Sequence, residues 1–424
     1  MWFGAVTVLS VLPWLASAAP VTDTKPKIDY DAIIVGGGPS GLAALSALAR
    51  VRRNVLLVDS GVYRNGPTRH MHDVLGFDGT ATHHQVFPPL RMTALLTKRG
   101  STGVRPAYYR WAAREQISHY DTVSMTNGTV TNITAQENNT YFTVTGTYQD
   151  NEEKTLTARK VVLGTGLKDL LPDTPGLIEN WGQGIYWCPW CDGHEHADQS
   201  IGLLGPLTSV PGTVREILTL NRDIIAFVNG TDTPSNREAT EKDNPRWQDY
   251  LNLHNVTVEN RTIASIERLK NGSNPNADPS LPSYPEYDLF RVHFTDGGSV
   301  TRAAFLTSFK HEQYSKVGEE AGVVLYGEKL GVDPTKGLVT NVPGIYAIGD
   351  CNSDNSTNVP HALYSGKRTA VFLHVQLERE TANAELAGLN KTLHTRSLHE
   401  EVRSLWDHMN GGKDDLLYAG PFEE

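Results

Sequence analysis

Short apolar runs flank a segment of helical composition near the start of the chain. Residues 32–35 form an apolar, β-branched run suited to a buried parallel strand, and residues 42–50 have helical composition. Residues 54–58 form a second apolar run, which ends at Asp59. Strand, helix and strand in this order predict a βαβ unit, in which two parallel strands lie side by side and the helix covers them.

The turn between the first strand and the helix carries the glycine pattern G-x-G-x-x-G at Gly36, Gly38 and Gly41. The first glycine permits a tight turn, the second lets the backbone approach a pyrophosphate, and the third lets helix and strand pack closely. Asp59 follows Gly41 by 18 residues, at the position where a carboxylate binds the hydroxyl pair of a ribose. This context predicts a dinucleotide site, and the alternative is a glycine-rich turn without a nucleotide.

Later segments continue the α/β pattern. Residues 127–166 alternate polar and apolar positions and end in "VVLGTG", which predicts a small antiparallel sheet followed by a buried strand. Residues 200–231 predict a second strand, turn, helix and strand, and "IYAIGD" at 345–350 predicts a further buried strand. Residues 381–411 have the pattern of an amphipathic surface helix.

The turn of the second unit departs from the binding pattern. It reads "GPLTSV" from Gly205 to Val210, so Leu207 stands where the second glycine would be. We expect its side chain to block the close approach of phosphates that only glycine permits. No pair of arginines follows Val228 to receive a 2′-phosphate. The sequence therefore predicts that the second nucleotide fold is kept while its ligand is lost.

Composition and charge narrow the class of partner. The chain has 424 residues, of which 39% are hydrophobic and 20% charged, as expected for a soluble protein of two domains. The formal net charge of −10 argues against nucleic acid or an anionic membrane surface as a partner, because either needs a basic field. A small molecule is the expected partner.

The N-terminus predicts entry into the secretory pathway. An apolar stretch followed by "ASA" predicts a signal peptide over residues 1–18, and Ser10 and Pro13 interrupt the stretch well short of the ~20 apolar residues of a membrane anchor. Multiple N-x-S/T sequons also favour a secreted glycoprotein. These sequons lie at Asn127, Asn132, Asn138, Asn229, Asn255, Asn260, Asn271, Asn355 and Asn390.

Two of the three cysteines, Cys188 and Cys191, form a C-x-x-C motif, and the third is Cys351. A ring closed over so few residues constrains little of the unfolded chain, which disfavours a purely structural disulfide. Zinc bound by this pair with His194 and His196 is an alternative, although these ligands are more tightly spaced than in known zinc sites. A redox role is the third option, and we expect Cys351 to be a buried, inert thiol.

The order of these motifs resembles the low-molecular-weight thioredoxin reductases, which are FAD-dependent pyridine nucleotide-disulfide oxidoreductases. The resemblance runs from Ile28 to about Leu377 and includes Asp192 directly after the second cysteine. It implies two Rossmann-like, doubly wound, three-layer domains. The FAD domain would be discontinuous, with residues 28–167 and 307–424 enclosing an NADPH-like domain at 168–306. The resemblance also favours a homodimer.

The degraded second turn makes the chain similar to one branch of that family, the gliotoxin-type fungal dithiol oxidases. This similarity implies that FAD accepts electrons from a small dithiol and passes them to dioxygen. Members of this branch often carry histidine after the second cysteine, whereas this chain carries Asp192. Two alternatives stay open, which are an NADPH-dependent disulfide reductase and a flavoprotein without redox chemistry.

The resemblance also assigns roles to residues. Cys191 would lie against the flavin, Cys188 would face the substrate, and Asp192 would shuttle a proton, as its carboxyl chemistry allows. A helix beginning near Pro360 would direct its amides at the flavin, where His361 is a candidate modulator, although an ordinary helix-start histidine is equally compatible. The expected FAD-binding residues are Gly36, Gly38, Pro39, Ser40, Gly41, Asp59, Ser60, Arg64, Asn65, Val130, Gly166, Asp350, His361 and Ala362. We assign no metal, and we expect the loop histidines to be mostly solvated, namely His70, His72, His83 and His84.

Overall fold

The computed structural model describes residues 27–75, 104–149, 151–274 and 281–387. The predicted signal peptide, His83, His84 and most of the predicted C-terminal helix lie outside these ranges. Within them, no helix has the length and apolar character needed to cross a membrane.

The elements are numbered in chain order. The strands are β1 Tyr30–Val35, β2 Val55–Asp59, β3 Val123–Gln136, β4 Tyr141–Tyr148, β5 Glu153–Leu163, β6 Leu167–Asp169, β7 Ile185–Tyr186, β8 Ile201–Leu204, β9 Ile224–Phe227, β10 Thr257–Glu259, β11 Ile263–Lys270, β12 Leu289–Phe294, β13 Ser299–Arg302, β14 Ala304–Thr307, β15 His311–Gln313, β16 Leu325–Tyr326, β17 Lys329–Leu330 and β18 Ile345–Ala347. The α-helices are α1 Pro39–Arg50, α2 Pro106–Ile117, α3 Pro189–Asp192, α4 Val210–Ile217, α5 Pro234–Asp243, α6 Trp247–Leu253, α7 Val317–Glu320 and α8 Val359–Ala387. Short 3-10 turns lie at Ile178–Asn180, His194–His196, Leu207–Ser209, Pro334–Lys336 and Gly349–Cys351.

The first domain is built on a parallel sheet of order β3-β2-β1-β5-β18. β3 and β5 are long enough to extend beyond it and to pair antiparallel with β4. The antiparallel strands predicted from residues 127–166 are therefore not a separate sheet, because they share two strands with the parallel one. Alternate residues of β1 point to opposite faces: Ile33 packs with Phe142 of the antiparallel layer, and Ile34 packs with Leu45 of α1.

The second domain repeats the three-layer plan. Its parallel sheet has the order β10-β9-β8-β14-β7. Leu203 faces Val214 of α4 on one side, and Leu204 faces Phe290 of the antiparallel sheet β11-β12-β13 on the other. The predicted fold class, two Rossmann-like three-layer domains, is confirmed.

The chain passes between the domains through two short paired strands. β6 leads out of the first domain, β15 leads back, and the two strands pair antiparallel. β18 and α8 then complete the first domain, β18 by pairing with β5 and α8 by packing on α1. The first domain is therefore discontinuous in sequence, as expected, and the crossing strands lie beside the site described next.

Candidate active site

A cavity extends from the glycine turn after β1 to the CxxC segment at α3. Its walls come from the carboxyl ends of β1, β2 and β5, the loop after β2, the middle of β3 and the start of α8. Ligands of open α/β sheets bind at this edge, because the loops that follow the strands leave a crevice there. The cavity therefore joins the predicted nucleotide site and the predicted redox pair in one space.

The three glycines of the first turn have different surroundings. Gly36 has a φ of +115°, which favours glycine, and a Cβ on Gly41 would lie 2.0 Å from the carbonyl oxygen of Gly36. At Gly38, by contrast, a Cβ would have none of the described heavy atoms within 4 Å, because this residue faces the cavity. Gly38 is also the N-cap of α1 and provides no side-chain cap. The start of α1 thus forms an open cradle for a phosphate group.

Replacing Gly38 with valine is expected to yield a folded, colourless protein. The protein itself leaves room for the new side chain, but a pyrophosphate at the start of α1 would need the same space. Absorbance of bound flavin after purification, together with far-UV circular dichroism, checks this. Gly212→Val, at a position that also has none of the described atoms within 4 Å of a Cβ, is the matched control and should stay yellow. A yellow Gly38→Val protein would contradict the assignment.

Most of the predicted cofactor residues line the cavity. They are Gly36, Gly38, Pro39, Ser40, Asp59, Ser60, Arg64, Asn65, Val130, Gly166, Asp350 and Ala362. The structure does not place Gly41 or His361 among them. Gly41 instead serves the close packing expected of the third glycine, since it lies against the backbone of Gly36.

His361 is turned away from the cavity. Its Nε2 lies 2.8 Å from Oδ2 of Asp354, and its main-chain N–H donates to Asn358 Oδ1 at 2.8 Å. Neighbouring residues of the first turn of α8, Val359, Pro360 and Ala362, do line the cavity. The structure therefore supports the predicted helix start at the site and gives His361 the position of an ordinary helix-start histidine.

Asp59 has partners that sequence reasoning missed. Its carboxylate accepts hydrogen bonds from the Tyr63 hydroxyl, from Arg114 of α2 and, at 2.9 Å, from the N–H of Gly61. Burial first, and then the negative charge and hydrogen bond of Asp59, raise the pKa of Tyr63 to about 12. The carboxylate is thus held at the cavity wall by a protonated phenol and a guanidinium.

Arg64 connects both parts of the first domain with the crossing strand. It donates two hydrogen bonds to Asp169 of β6, at 2.9 and 2.7 Å, and one to Asp350 after β18, at 3.0 Å. Burial alone would lower the pKa of Arg64, but these carboxylates outweigh it and raise the pKa. The charged network therefore fixes the wall of the cavity where the two domains meet.

Cys188 and Cys191 are joined as a disulfide, with their Cα atoms 5.2 Å apart. Cys188 is the N-cap of α3, whose first residue is Pro189, a residue that suits the first helical position because it has no N–H to leave unbonded. Cys191 lines the cavity, whereas Cys188 is partly accessible but is not among the lining residues. The two sulfur atoms are bonded to each other, which disagrees with the alternative of a zinc site.

The loop histidines His70 and His72 are not solvated, which corrects the sequence expectation. Their side chains are 12% and 9% exposed, and both line the cavity. His72 Nδ1 lies 2.8 Å from the carbonyl oxygen of Cys191, and His70 Nδ1 lies 3.5 Å from Oε1 of Glu286. A contact over more than a hundred residues has no signal in a single sequence, although the titratable run "RHMHD" in the loop after β2 was the available hint.

Arg69 anchors the same loop to the second domain. It donates to both carboxylate oxygens of Asp288, at 2.8 and 2.9 Å, and also to Glu286. Burial would raise the pKa of Glu286, but the hydrogen bond from His70 and the charge of Arg69 lower it to about 2. His196, Glu286 and Asp288 are close enough together to resemble a metal site, yet Arg69 already occupies the two carboxylates.

Replacing Arg69 with methionine is expected to lower the free energy of unfolding by about 3 kcal/mol, because buried Glu286 and Asp288 both lose this guanidinium and Asp288 keeps only that of Arg268. The depressed pKa of Glu286 contributes stability above its usual pKa of 4.5 and loses it as the pH falls toward 2. The variant should therefore differ from wild type most above pH 4.5. Urea unfolding at several pH values measures this. Arg237→Met, at an exposed ion pair with Asp232, is the control and should lower the free energy of unfolding by less than about 1 kcal/mol. Equal losses of stability in the two variants would contradict the role given to Arg69.

Comparison with known proteins identifies the family. Residues 30–205 match the model described as pyridine nucleotide-disulphide oxidoreductase. A "Probable thioredoxin reductase" of Arthroderma benhamiae is 43% identical over 400 residues, which cover 92% of this chain and 91% of that protein. The chain belongs to the thioredoxin reductase-like pyridine nucleotide-disulphide oxidoreductases.

Two further proteins are similar to this oxidoreductase. Thioredoxin reductase tcpT of Claviceps purpurea is 32% identical over 359 residues, which cover 82% of this chain and 94% of that protein. The crystal structure of an oxidoreductase from Agrobacterium tumefaciens superposes with a TM-score of 0.63 at 24% identity, covering 83% of this chain and 99% of that one. The crystal structure shares the fold described above.

FAD is the cofactor of this oxidoreductase family, and the residues present fit it. The open cradle at Gly38 suits the pyrophosphate, and Asp59 is placed for a ribose. The cavity then continues past Asp350 and the start of α8 to Cys191. The flavin end of FAD would therefore have the redox pair beside it.

Asp192 stands out in this oxidoreductase by its charge environment. Burial, followed by the negative charges of Glu286 and Glu195, raises its pKa well above the usual range, and Arg69 opposes this effect only in part. Asp192 lines the cavity directly after Cys191. The raised pKa favours the protonated carboxyl, which is the form that can donate a proton at the disulfide.

Some backbone groups of the turn after β8 are already engaged by hydrogen bonds within the protein. Pro206 and Pro211 have no N–H, the Leu207 N–H donates to Thr231 Oγ1 at 3.0 Å, and the Ser209 N–H donates to the Pro206 carbonyl at 3.0 Å. The expectation that the Leu207 side chain itself blocks a phosphate is wrong. This side chain is fully buried in the core. Two amides of this turn are therefore already bonded, and the two prolines have none to offer.

Cationic side chains near this turn are also engaged. Arg237 donates to both oxygens of Asp232, and Arg246 donates to Asp249 Oδ2 at 2.9 Å. Arg246 follows α5 in the sequence, so this helix separates it from the end of β9. Its side chain is 81% exposed. Each guanidinium therefore already has a carboxylate partner, and neither is held open for a phosphate.

Tryptophans flank the disulfide. Trp187 stacks on Trp181 with ring centroids 4.9 Å apart, and Trp190 between the two cysteines is 70% exposed. Trp187 and Trp190 both line the cavity. Cys351 is fully buried, and its thiol donates to the carbonyls of Leu163 and Ile348 at 3.3 and 3.1 Å, as expected of an inert thiol.

Proposed function

We propose that this oxidoreductase is a dithiol oxidase that forms a disulfide in a small dithiol and passes the electrons to dioxygen. The observation that carries the proposal is the contrast between the two turns. The first turn offers an open cradle at Gly38, whereas the second has two prolines and its amides of Leu207 and Ser209 are already bonded. A dithiol and dioxygen would give the disulfide and hydrogen peroxide, which balances two electrons and two hydrogens.

The chain's own residues account for the transfer of electrons from the dithiol. A substrate thiolate attacks Sγ of Cys188, the Cys188–Cys191 bond breaks, and Cys191 leaves as a thiolate. The second substrate thiol attacks the mixed disulfide, Cys188 leaves with the proton of Asp192, and the thiol's proton returns to Asp192. The two electrons then lie on the cysteine pair. FAD held along the cavity from Gly38 to the start of α8 would supply the acceptor for these electrons, with dioxygen as the proposed final acceptor.

An NADPH-dependent disulfide reductase is the second candidate. The names of the Arthroderma benhamiae and Claviceps purpurea relatives, a probable thioredoxin reductase and a thioredoxin reductase, favour it. In that case the same disulfide would be reduced through the flavin by a nicotinamide bound at the second domain. The two candidates share the cysteine chemistry and differ in whether the turn after β8 receives a nucleotide.

Oxygen uptake by the purified yellow protein distinguishes the candidates. Dithiothreitol and a panel of small dithiols are offered with and without NADPH. The oxidase should consume dioxygen and form hydrogen peroxide with at least one dithiol, and NADPH should not be needed or consumed. Oxygen uptake that depends on NADPH, with no response to any dithiol alone, would sink the oxidase proposal.

We also propose that the protein is a secreted glycoprotein and a homodimer. All eight sequon asparagines within the described ranges are exposed, as attachment of a glycan requires. Digestion of the protein made in a eukaryotic secretory host with peptide N-glycosidase should lower its apparent mass. An unchanged mass would contradict glycosylation. The oligomeric state is tested by sedimentation of the deglycosylated protein, and a monomer would contradict the homodimer.

A further inference from the structure

His72 reaches the redox segment from the other domain. Its Nδ1 lies 2.8 Å from the carbonyl oxygen of Cys191, which belongs to the peptide unit that joins Cys191 to Asp192. Its side chain is 9% exposed and borders the cavity. An imidazole buried against the main chain of a reacting cysteine is a costly arrangement, and sequence reasoning left it without a role.

The partners of the ring define its hydrogens. A carbonyl oxygen only accepts hydrogen bonds, so Nδ1 of His72 carries a hydrogen. Nε2 lies 3.4 Å from Oε1 of Glu195, whose side chain is 5% exposed. Nε2 is buried and makes no hydrogen bond to the described residues, so its contact with this carboxylate is one of charge: a ring N–H is attracted to the carboxylate, whereas a bare lone pair is repelled.

Glu195 is itself held in place. Its Oε1 accepts a hydrogen bond from the Ser283 hydroxyl at 2.6 Å. An imidazolium at His72 would face an acceptor at each ring nitrogen, the carbonyl of Cys191 and the carboxylate of Glu195. The titratable or charged groups around His72 are His70 and Asp73 on its own loop, Asp192 and Glu195 on the CxxC segment, and Arg69 and Glu286 behind them.

We propose that His72, held by Glu195, is a positioning residue that stabilises the thiolate of Cys191 when the disulfide opens. A cation beside a cysteine favours the thiolate over the thiol. When the substrate sulfur bonds to Cys188, the electron pair of the broken S–S bond goes to Cys191, and the imidazolium compensates this new charge without giving up its proton. The raised pKa of Asp192 disfavours a second negative charge beside this thiolate. The inference rests on the disulfide opening in the proposed function and not on dioxygen as acceptor.

The test measures the acidity of Cys191 directly. The holoenzyme is reduced with dithiothreitol and desalted without oxygen, and the rate of alkylation of Cys191 by iodoacetamide is followed from pH 5 to 10 by peptide mass spectrometry. His72→Asn keeps an N–H donor for the Cys191 carbonyl but cannot carry a positive charge. We expect this variant to alkylate Cys191 about tenfold more slowly at pH 7, with the pH profile shifted upward by about one unit.

The matched control is His119→Asn. Nδ1 of His119 also faces a main-chain carbonyl, that of Glu115 at 3.0 Å, but on the exposed surface of α2. This variant should give the wild-type profile. An unchanged Cys191 profile in His72→Asn would overturn the proposal, because a merely structural hydrogen bond survives in that variant.

Two further outcomes keep the test decisive. If His72→Asn loses its flavin or its fold, the wild-type profile decides, since a Cys191 pKa at or above the ordinary ~8.5 of a free cysteine would overturn the proposal. Because the assay involves neither dioxygen nor NADPH, it also separates this inference from the proposed function. A protein that fails to oxidise dithiols can still show slower alkylation of Cys191 in His72→Asn. A protein that oxidises dithiols can likewise fail to show this change.

Discussion

Replacing Cys191 with serine is expected to abolish dithiol oxidation, by more than about 1,000-fold, while the protein stays yellow. In the proposed function the disulfide accepts the electrons of the substrate, and no Cys188–Cys191 disulfide can form without Cys191. FAD retention should be unaffected, because the phosphate cradle lies at the opposite end of the cavity, at Gly38. Steady-state oxygen uptake with a dithiol, normalised to bound flavin, gives the comparison.

Cys351→Ser is the control for the Cys191 variant. Cys351 is buried away from the cavity, and a serine hydroxyl can keep the hydrogen bonds to Leu163 and Ile348. This variant should oxidise dithiols at the wild-type rate. Undiminished activity of Cys191→Ser would instead favour the reading of the chain as a flavoprotein whose cysteine pair is inert.

Replacing Asp192 with asparagine is expected to slow thiol–disulfide exchange by about 100-fold. The wild-type rate requires the protonated carboxyl, so it should fall as the pH rises through the raised pKa of Asp192. Asparagine cannot donate such a proton, and the variant should lose this part of the pH profile. Anaerobic stopped-flow reduction of the enzyme by dithiothreitol over a range of pH measures both effects.

The same substitution should stabilise the protein. The folded-state pKa of Asp192 is above its unfolded value, so its contribution to stability is full below pH ~4 and decreases as the pH rises toward the folded pKa. Asparagine does not titrate, so the gain over wild type should grow with pH across that window. Asp198→Asn, at an exposed site, should change neither rate nor stability. A slow Asp192 variant that is no more stable than wild type at neutral pH would contradict the buried-acid interpretation.

The first βαβ unit could be predicted in detail because its physics is local. Gly36 needs a positive φ, Gly41 needs close packing, and Gly38 needs open space, and the spacing of a single turn sets all three. The start of α3 at Pro189 was predictable for the same reason. Such features depend on residues within a few positions of one another.

The acid–base surroundings of the disulfide could not be predicted, because they are assembled from distant segments. His72 meets Cys191, and Arg69 meets Asp288, across more than a hundred residues and from different domains. The orientation of Leu207 was missed for a related reason. Its place in the glycine pattern pointed to the ligand, whereas the 3-10 turn Leu207–Ser209 directs the side chain into the core.

The central claim is that electrons enter this oxidoreductase from a dithiol and not from NADPH. Anaerobic stopped-flow mixing of the yellow protein with NADPH, and separately with dithiothreitol, tests it through the visible absorbance of the flavin. The account predicts that NADPH leaves the absorbance unchanged while dithiothreitol bleaches it. Rapid bleaching by NADPH would contradict the account, because it would show that the second domain receives the nucleotide after all.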